Sequence, residues 1–291
     1  MANIIRDNID FSAYMASTEA SHRVISAASY VDEVIDYFHG NGRDAGVVMP
    51  WVKTHNVIRF RPNEVTLWAG FNGSGKSLVL GQTCFGFIAQ GQSVCIASME
   101  MKPMITLARM CRQFCKDKTP SEEEIRMFHD ATGTHLWLYD QQGSVNAERM
   151  LAVMRYCAQE KGIKHFVLDS LMKCGIGEDD YTGQKLFVDG ICTVARDTGM
   201  HIHLVAHSRK DKDETRMPGK MDVKGSGAIT DQVDNVLTMW RNKPKELDNA
   251  SKKGEPDAML ICDKQRNGEW EGRIALWFDK EGMRYIENEA Y

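Results

Sequence analysis

The sequence predicts an α/β fold built on a mostly parallel central sheet. Three observations carry that expectation. Apolar β-type runs recur from Val65 onward, helical patterns lie between several of them, and no internal repeat or low-complexity tract interrupts the alternation. A chain of 291 residues is one large domain with room for a small extension.

The elements follow in order. Residues 1–45 form an extension in which Val24, Ile25, Ala28, Val31, Val34, Ile35 and Phe38 recur at helical spacing before Gly40-Asn41-Gly42 stops the pattern. The main domain takes residues 46–291. Its strand candidates are Val65–Ala69, Val94–Ser98, Leu136–Tyr139, Phe166–Leu168, Ile202–Ala206, Val236–Trp240 and Ala258–Cys262. An apolar helical stretch begins at Leu78. Another helix opens at Thr119-Pro120-Ser121-Glu122, read as an N-cap, a first-turn proline and a capping-box glutamate. Val145–Lys161 places Leu151, Met154 and Cys157-Ala158 on one helical face. Arg273–Tyr285 reads as a closing hairpin or meander.

Composition excludes several classes. No apolar run approaches the ~20 residues that span a bilayer, and the N-terminus lacks the apolar core of a secretory signal. The eight cysteines never fall in a C-x-x-C spacing, and most sit in apolar stretches, which points to buried thiols in a reduced, cytosolic compartment rather than to disulfides or zinc. A net charge of −4 argues against a general nucleic-acid coat protein, but whole-chain charge says little about one basic loop repeated around an assembly.

The chemistry begins at Gly70-Phe71-Asn72-Gly73-Ser74-Gly75-Lys76-Ser77, a full match to G-x-x-x-x-G-K-[ST] with a strand-like run before it and a helical one after. Glycines let successive backbone N–H groups approach phosphate oxygens, and the helix N-terminus adds positive potential. The expected nucleotide-binding set is Gly70, Asn72, Gly73, Ser74, Gly75, Lys76, Ser77 and Leu78. Lys76 would reach the β and γ phosphates of ATP and Ser77 would ligate Mg2+. Phe166-Val167-Leu168-Asp169 is an apolar strand ending in an acid, which makes Asp169 the second metal-shell candidate. Val94–Ser98 leads to Glu100; with both acid-bearing strands bordering the P-loop strand, Glu100 would face the γ-phosphate and polarise water.

The order GFNGSGKS, SMEM, FVLDS, VAHSRK, DKQRNG resembles the RecA-like motor of hexameric replicative helicases, the group of DnaB, Twinkle and the phage primase-helicases. The resemblance covers roughly residues 45–285. It implies a RecA-like P-loop NTPase fold with helices flanking the sheet, and a short N-terminal linker helix that packs on the adjacent subunit. By the same resemblance Glu100 matches the catalytic glutamate, Asp169 the Walker B acid, and His207 the polar sensor of the γ-phosphate. The histidine is similar to the phage primase-helicases, where DnaB-like members carry glutamine. Arg266 matches the arginine finger inserted into a neighbouring site and Lys264 its companion, while Arg241 and Phe278 match positions on the base or ribose. A cation delivered in trans would stabilise charge on a transferring phosphoryl group whatever the family.

Two polar, Gly-containing stretches follow core strands, Lys173–Gln184 and Arg209–Gly225. The second carries six basic residues against four acidic ones, and Lys210, Lys212, Arg216 and Lys220 are candidates for a sequence-independent grip on single-stranded DNA phosphates. The resemblance implies a self-assembled ring, a hexamer, with primase, polymerase or single-strand-binding protein as further partners, working in the cytoplasm of a bacterial host if phage-encoded. Residues 1–45 are too short for a primase or a helical collar, so the expectation is a motor with one linker helix. Two other functions share the P-loop and the acids: a RecA/RadA-type recombinase forming DNA-bound filaments, and a loader or regulatory ATPase that does not unwind. Against the recombinase, the only F-x-x-A, Phe128–Ala131, lies inside the core domain.

Overall fold

The computed structural model describes residues 3–6, 10–15, 26–40, 46–177, 179–209, 215–225, 227–247, 251–252 and 254–288. Among the described residues, ten strands form one sheet in the order β1-β4-β3-β5-β6-β2-β7-β8-β9-β10. They are β1 (Asn3–Arg6), β2 (Val65–Ala69), β3 (Val94–Ser98), β4 (Leu136–Asp140), β5 (His165–Asp169), β6 (His201–Val205), β7 (Asn235–Arg241), β8 (Ala258–Gln265), β9 (Gly272–Asp279) and β10 (Arg284–Ile286). Every pairing from β1 to β7 is parallel, and β8 to β10 add an antiparallel edge.

The central strands are buried on both faces, which is why they read as continuous apolar runs with little alternation. Within β2, Val65, Leu67 and Ala69 belong to one core and Trp68 to the other. Helices α5 (Ala147–Lys161) and α6 (Tyr181–Thr198) close the first core; α2 (Lys76–Ala89), α3 (Pro103–Cys115) and α4 (Glu122–Thr132) close the second. The closing segment predicted over Arg273–Tyr285 is a hairpin, with Tyr285 opposite Phe278. Gln82 of α2 clamps it through both backbone groups of Tyr285, Nε2 to the carbonyl at 2.9 Å and N–H to Oε1 at 2.6 Å. All eight cysteines are free thiols, and none of the described helices is long and apolar enough to cross a membrane.

Three details depart from the sequence reading. The cap of α4 is Ser121, whose hydroxyl accepts from Glu124 N–H while Glu124 reaches back to Ser121 N–H; Pro120 therefore precedes the cap. Thr119 fits the same spacing, but its N–H is already held by the Asp117 carboxylate in a preceding turn. Neither acid-bearing strand borders β2, because β6 lies between β5 and β2 and β3 lies beyond β5. The 14 residues of α2 form the crossover that lets β3 run parallel to the P-loop strand, three places away in the sheet. The third is a strand missing from the sequence reading: β1 extends the sheet beside β4, and Phe11 nearby is buried against Tyr156.

In the N-terminal region, α1 (Val31–His39) runs to Gly40; Val24 and Ile25 lie outside the described residues. No residue of α1 is buried, and Val31, Ile35 and Phe38 are each more than half exposed.

Candidate nucleotide site

The P-loop leaves β2 at Gly70 and enters α2 at Lys76. Gly70 and Gly75 both hold positive φ, +146° and +92°, which side-chain-bearing residues rarely adopt. At Gly75 a Cβ would also collide with the Tyr285 hydroxyl, so the closing hairpin and the loop fit only with glycine there. The first N–H groups of α2 lack intrahelical partners and supply donors for an anion.

One cavity of about 420 Å³ gathers Asn72, Gly73, Ser74, Gly75, Lys76, Ser77, Glu100, Arg109, Asp169 and His207. Lys76 is buried and donates to the carbonyls of Gly70 at 2.9 Å and Phe71 at 3.0 Å. Burial pushes its ammonium down to about 8, against the charges of Asp169 and Glu100. Ser77 Oγ donates to Asp169 Oδ2 at 2.7 Å. Burial raises the Asp169 carboxyl above its ordinary value, and the Ser77 hydrogen bond offsets part of that. These two hard oxygen donors lie beside the P-loop and suit Mg2+. Burial and then the Lys76 charge lower the His207 imidazole, favouring its neutral form. The unpartnered buried atoms Ser74 Oγ and His207 Nδ1 fit an acceptor-rich ligand such as a phosphate.

A second cavity, about 580 Å³, shares Gly73, Gly75, Leu78 and Met283 with the first and adds Arg241, Lys245, Glu246, Asp257, Phe278, Lys280 and Tyr285. Arg241 is paired with Glu246 and reaches the Gly73 carbonyl at 3.3 Å. Phe278 packs against Tyr285 at 5.2 Å between ring centroids. Together the two cavities are large enough to take a phosphate chain and a base with its sugar. Arg109, Lys245 and Tyr285 were not candidates from sequence. Arg109 could have been found as a cation two helical turns into the helix after Glu100; Tyr285 had no local signal.

Arg266 and Lys264 stand elsewhere. Gln265 pairs with Asn235, and Asn235 with Thr66, so this segment is level with the start of β2 while the P-loop leaves its end. Four residues of extended strand, ~13 Å, separate the two levels. Arg266 pairs with Asp234 at 3.1 Å and is 47% exposed. Lys264 Nζ donates to the carbonyls of Thr230, Asp231 and Val233, capping the end of α7 (Gly227–Gln232).

Of the loop cations, Lys210 and Lys212 lie outside the described residues. Arg216 is held by both carboxylate oxygens of Asp222, and Lys220 is exposed. The two arms of this loop meet through the Ser208–Val223 bridge, and Lys224 N–H donates to the His207 carbonyl at 2.8 Å. The sensor candidate is thus bonded directly to the arm that returns from the basic loop.

The profile of the DnaB-like helicase C-terminal domain matches residues 55–287. A DNA helicase/primase of Enterobacteria phage T3 is 23% identical over 214 residues, covering 65% of this chain and 37% of that protein. The chain therefore spans well under half the length of that relative. The solved ATPase domain of G40P superposes with a TM-score of 0.79 at 17% identity, over 92% of this chain and all of that one. A DnaB-like replicative helicase, solved to examine its interactions with primase, gives 0.73 at 16% identity over 92% of this chain and 68% of its own. These likenesses establish the RecA-like ATPase fold.

Proposed function

The chain belongs to the DnaB-like helicase C-terminal domain family, and on that premise we propose that it is the motor of a ring-shaped, phage-type replicative helicase. It binds ATP with Mg2+, translocates on single-stranded DNA and separates the duplex. The observation that carries this reading is the division of the site. Lys76, Ser77, Glu100, Asp169 and His207 share one cavity, whereas Arg266 sits at the opposite end of the same sheet. A cation there serves the phosphates of a neighbouring copy, which requires an assembly in which each subunit completes the next.

Hydrolysis then follows from the residues. Lys76 offsets charge on the β and γ phosphates, and Glu100 orients the attacking water and accepts its proton. The hydroxyl of Ser77 and the carboxylate of Asp169 would hold Mg2+, which when bound neutralises phosphate oxygens. Neutral His207 senses the γ-phosphate and passes its position through Lys224 to the basic loop, where Lys210, Lys212, Arg216 and Lys220 grip the DNA backbone. Arg216 must leave Asp222 to do so. Arg241 and Phe278 hold the ribose and base, and Lys264 braces the finger segment.

The exposed apolar side chains Val31, Val34 and Ile35 of α1 support the linker role within residues 1–45, since a neighbouring motor domain (46–291) would cover them. The phage T3 relative supports the phage type and makes primase, polymerase or single-strand-binding protein reasonable partners, in the cytoplasm of a bacterial host. Against a filament-forming recombinase, Phe128 of the F-x-x-A pattern is fully buried on the inner face of α4 and unavailable as a tether. The test is ATP turnover with and without single-stranded DNA, followed by unwinding of forks bearing a 5′ or a 3′ tail. Several-fold stimulation and unwinding of one polarity are expected; a DNA-independent rate with no unwinding refutes the motor.

A further inference from the structure

Arg266 is not a loose surface cation. Its guanidinium pairs through Nη1 with Asp234 Oδ1 at 3.1 Å, and Nη2 donates to the carbonyls of Asp231 and Gln232 at 3.3 and 3.2 Å. Its own N–H donates to the Asp234 carbonyl at 2.9 Å. The other Asp234 oxygen, Oδ2, accepts from Val65 N–H at 2.9 Å, the first residue of the P-loop strand. The next residue, Asn267, donates through Nδ2 to Glu64 Oε1 at 2.7 Å, immediately before that strand. Glu64 is 3% exposed and its second oxygen accepts from Asn235 at 2.9 Å, so this buried carboxylate is used at both oxygens by the base of β7 and the turn after β8.

A buried carboxylate such as Glu64 needs such partners to be tolerated, and together Glu64 and the partly exposed Asp234 hold two successive residues of the turn, Asn267 and Arg266. Glu64, Asp234, Arg266 and Asn267 do not line the chain's own phosphate cavity. An arginine on a free turn would have to be immobilised each time it entered a neighbouring site. One whose base is already fixed presents its remaining donors in a set direction.

We propose that Asp234 and the Glu64–Asn267 hydrogen bond are positioning groups for Arg266: they fix the turn that delivers this cation to the phosphates of the adjacent subunit. This rests on the trans role given to Arg266 above. Mutations in the brace should impair the neighbour's turnover and leave the chain's own nucleotide affinity intact.

Mixed assemblies of full-length chains separate these possibilities. In the control mixture, a Lys76→Ala chain has no working P-loop but lends its Arg266 to an Arg266→Ala chain, and ATP turnover recovers above either variant alone. Asn267→Ala is then added to one partner at a time. On the Lys76→Ala chain, which donates the finger, it should cut the recovered turnover roughly tenfold or more. On the Arg266→Ala chain, which supplies only the P-loop, it should change little. Asp234→Asn, which keeps a polar group of the same size at a partly exposed site, should behave the same way, and binding of a fluorescent ATP analogue should be unaltered in both variants. Equal losses from either chain, or weakened nucleotide binding, would show a general structural role and overturn the inference. Full recovery with the brace removed from the donating chain overturns it as well. No recovery in the control mixture instead refutes the trans role of Arg266 on which the brace depends.

Discussion

Acidification should unfold this protein through three histidines buried directly behind the P-loop strand. His165, His201 and His203 are each under 5% exposed and pack against one another and against Phe60 and Phe87. His201 Nδ1 sits 2.6 Å from the Arg61 carbonyl and must donate, which leaves Nε2 to accept from the Thr66 hydroxyl at 2.8 Å. Protonating Nε2 turns the Thr66 hydroxyl from donor to acceptor and places a positive charge in a fully buried site. Burial accordingly lowers His201 to about 4, and pushes His165 and His203 well below the ordinary value. With a folded value below the unfolded one, ~6.5, the unfolded chain binds more protons in that window. Stability is therefore complete above ~6.5 and falls as pH drops towards the folded value. At pH 5 nearly all unfolded chains carry a proton on His201 and about a tenth of folded ones do, a loss of about 2 kcal/mol from this residue alone. The other two push the same way. Urea unfolding followed by circular dichroism at pH 8 and pH 5, on the wild type and on His201→Gln, measures the term. The variant should be weaker at pH 8 through lost packing, but its drop in stability between the two pH values should be smaller by about 2 kcal/mol. An unchanged drop would refute the assignment of His201 as a neutral, proton-excluding core residue.

Glu100→Gln keeps the shape of the phosphate cavity and removes its base, so nucleotide affinity should persist while turnover falls by at least ~100-fold; retained turnover in a steady-state assay removes Glu100 from its role. Arg266→Ala titrated into wild-type subunits should reduce ATP hydrolysis more steeply than the fraction added, and a strictly proportional loss would contradict action in trans. Gly75→Ala meets both a positive φ and the Tyr285 hydroxyl, so it should abolish binding of a fluorescent ATP analogue and lower the melting temperature; Tyr285→Phe combined with it should recover part of the stability but not the strained backbone.

Local patterns determined much of this protein. Apolar runs buried on both faces marked the parallel strands, because such strands need no polar positions at all. The G-x-x-x-x-G-K-S pattern located the phosphate cradle, since its chemistry is local backbone geometry followed by a helix N-terminus. The acids at the ends of β3 and β5 were legible for a similar reason: a strand in this architecture delivers its last residue to the ligand edge. β1 was not legible, because four residues at a sheet edge carry too little pattern. Nor was the cap of α4, where Thr119 and Ser121 fit one spacing equally well and a turn made by Asp117 decides between them.

Only the tertiary structure decided the rest. Packing placed β6 between β5 and β2, next to the P-loop strand. It set Tyr285 against Gly75, some 210 positions apart in sequence, through the clamp of Gln82. It assembled the histidine cluster from two strands whose local sequence, alternating His and apolar residues in His201-Ile202-His203, gives no hint of complete burial. It also put Arg266 at the far end of the sheet from its own P-loop, on the brace of Asp234 and Glu64. Spacing along a chain fixes which groups share a strand or a helix face. Which groups share a cavity is fixed by the order in which strands pair, and that order is set by packing across the whole sheet.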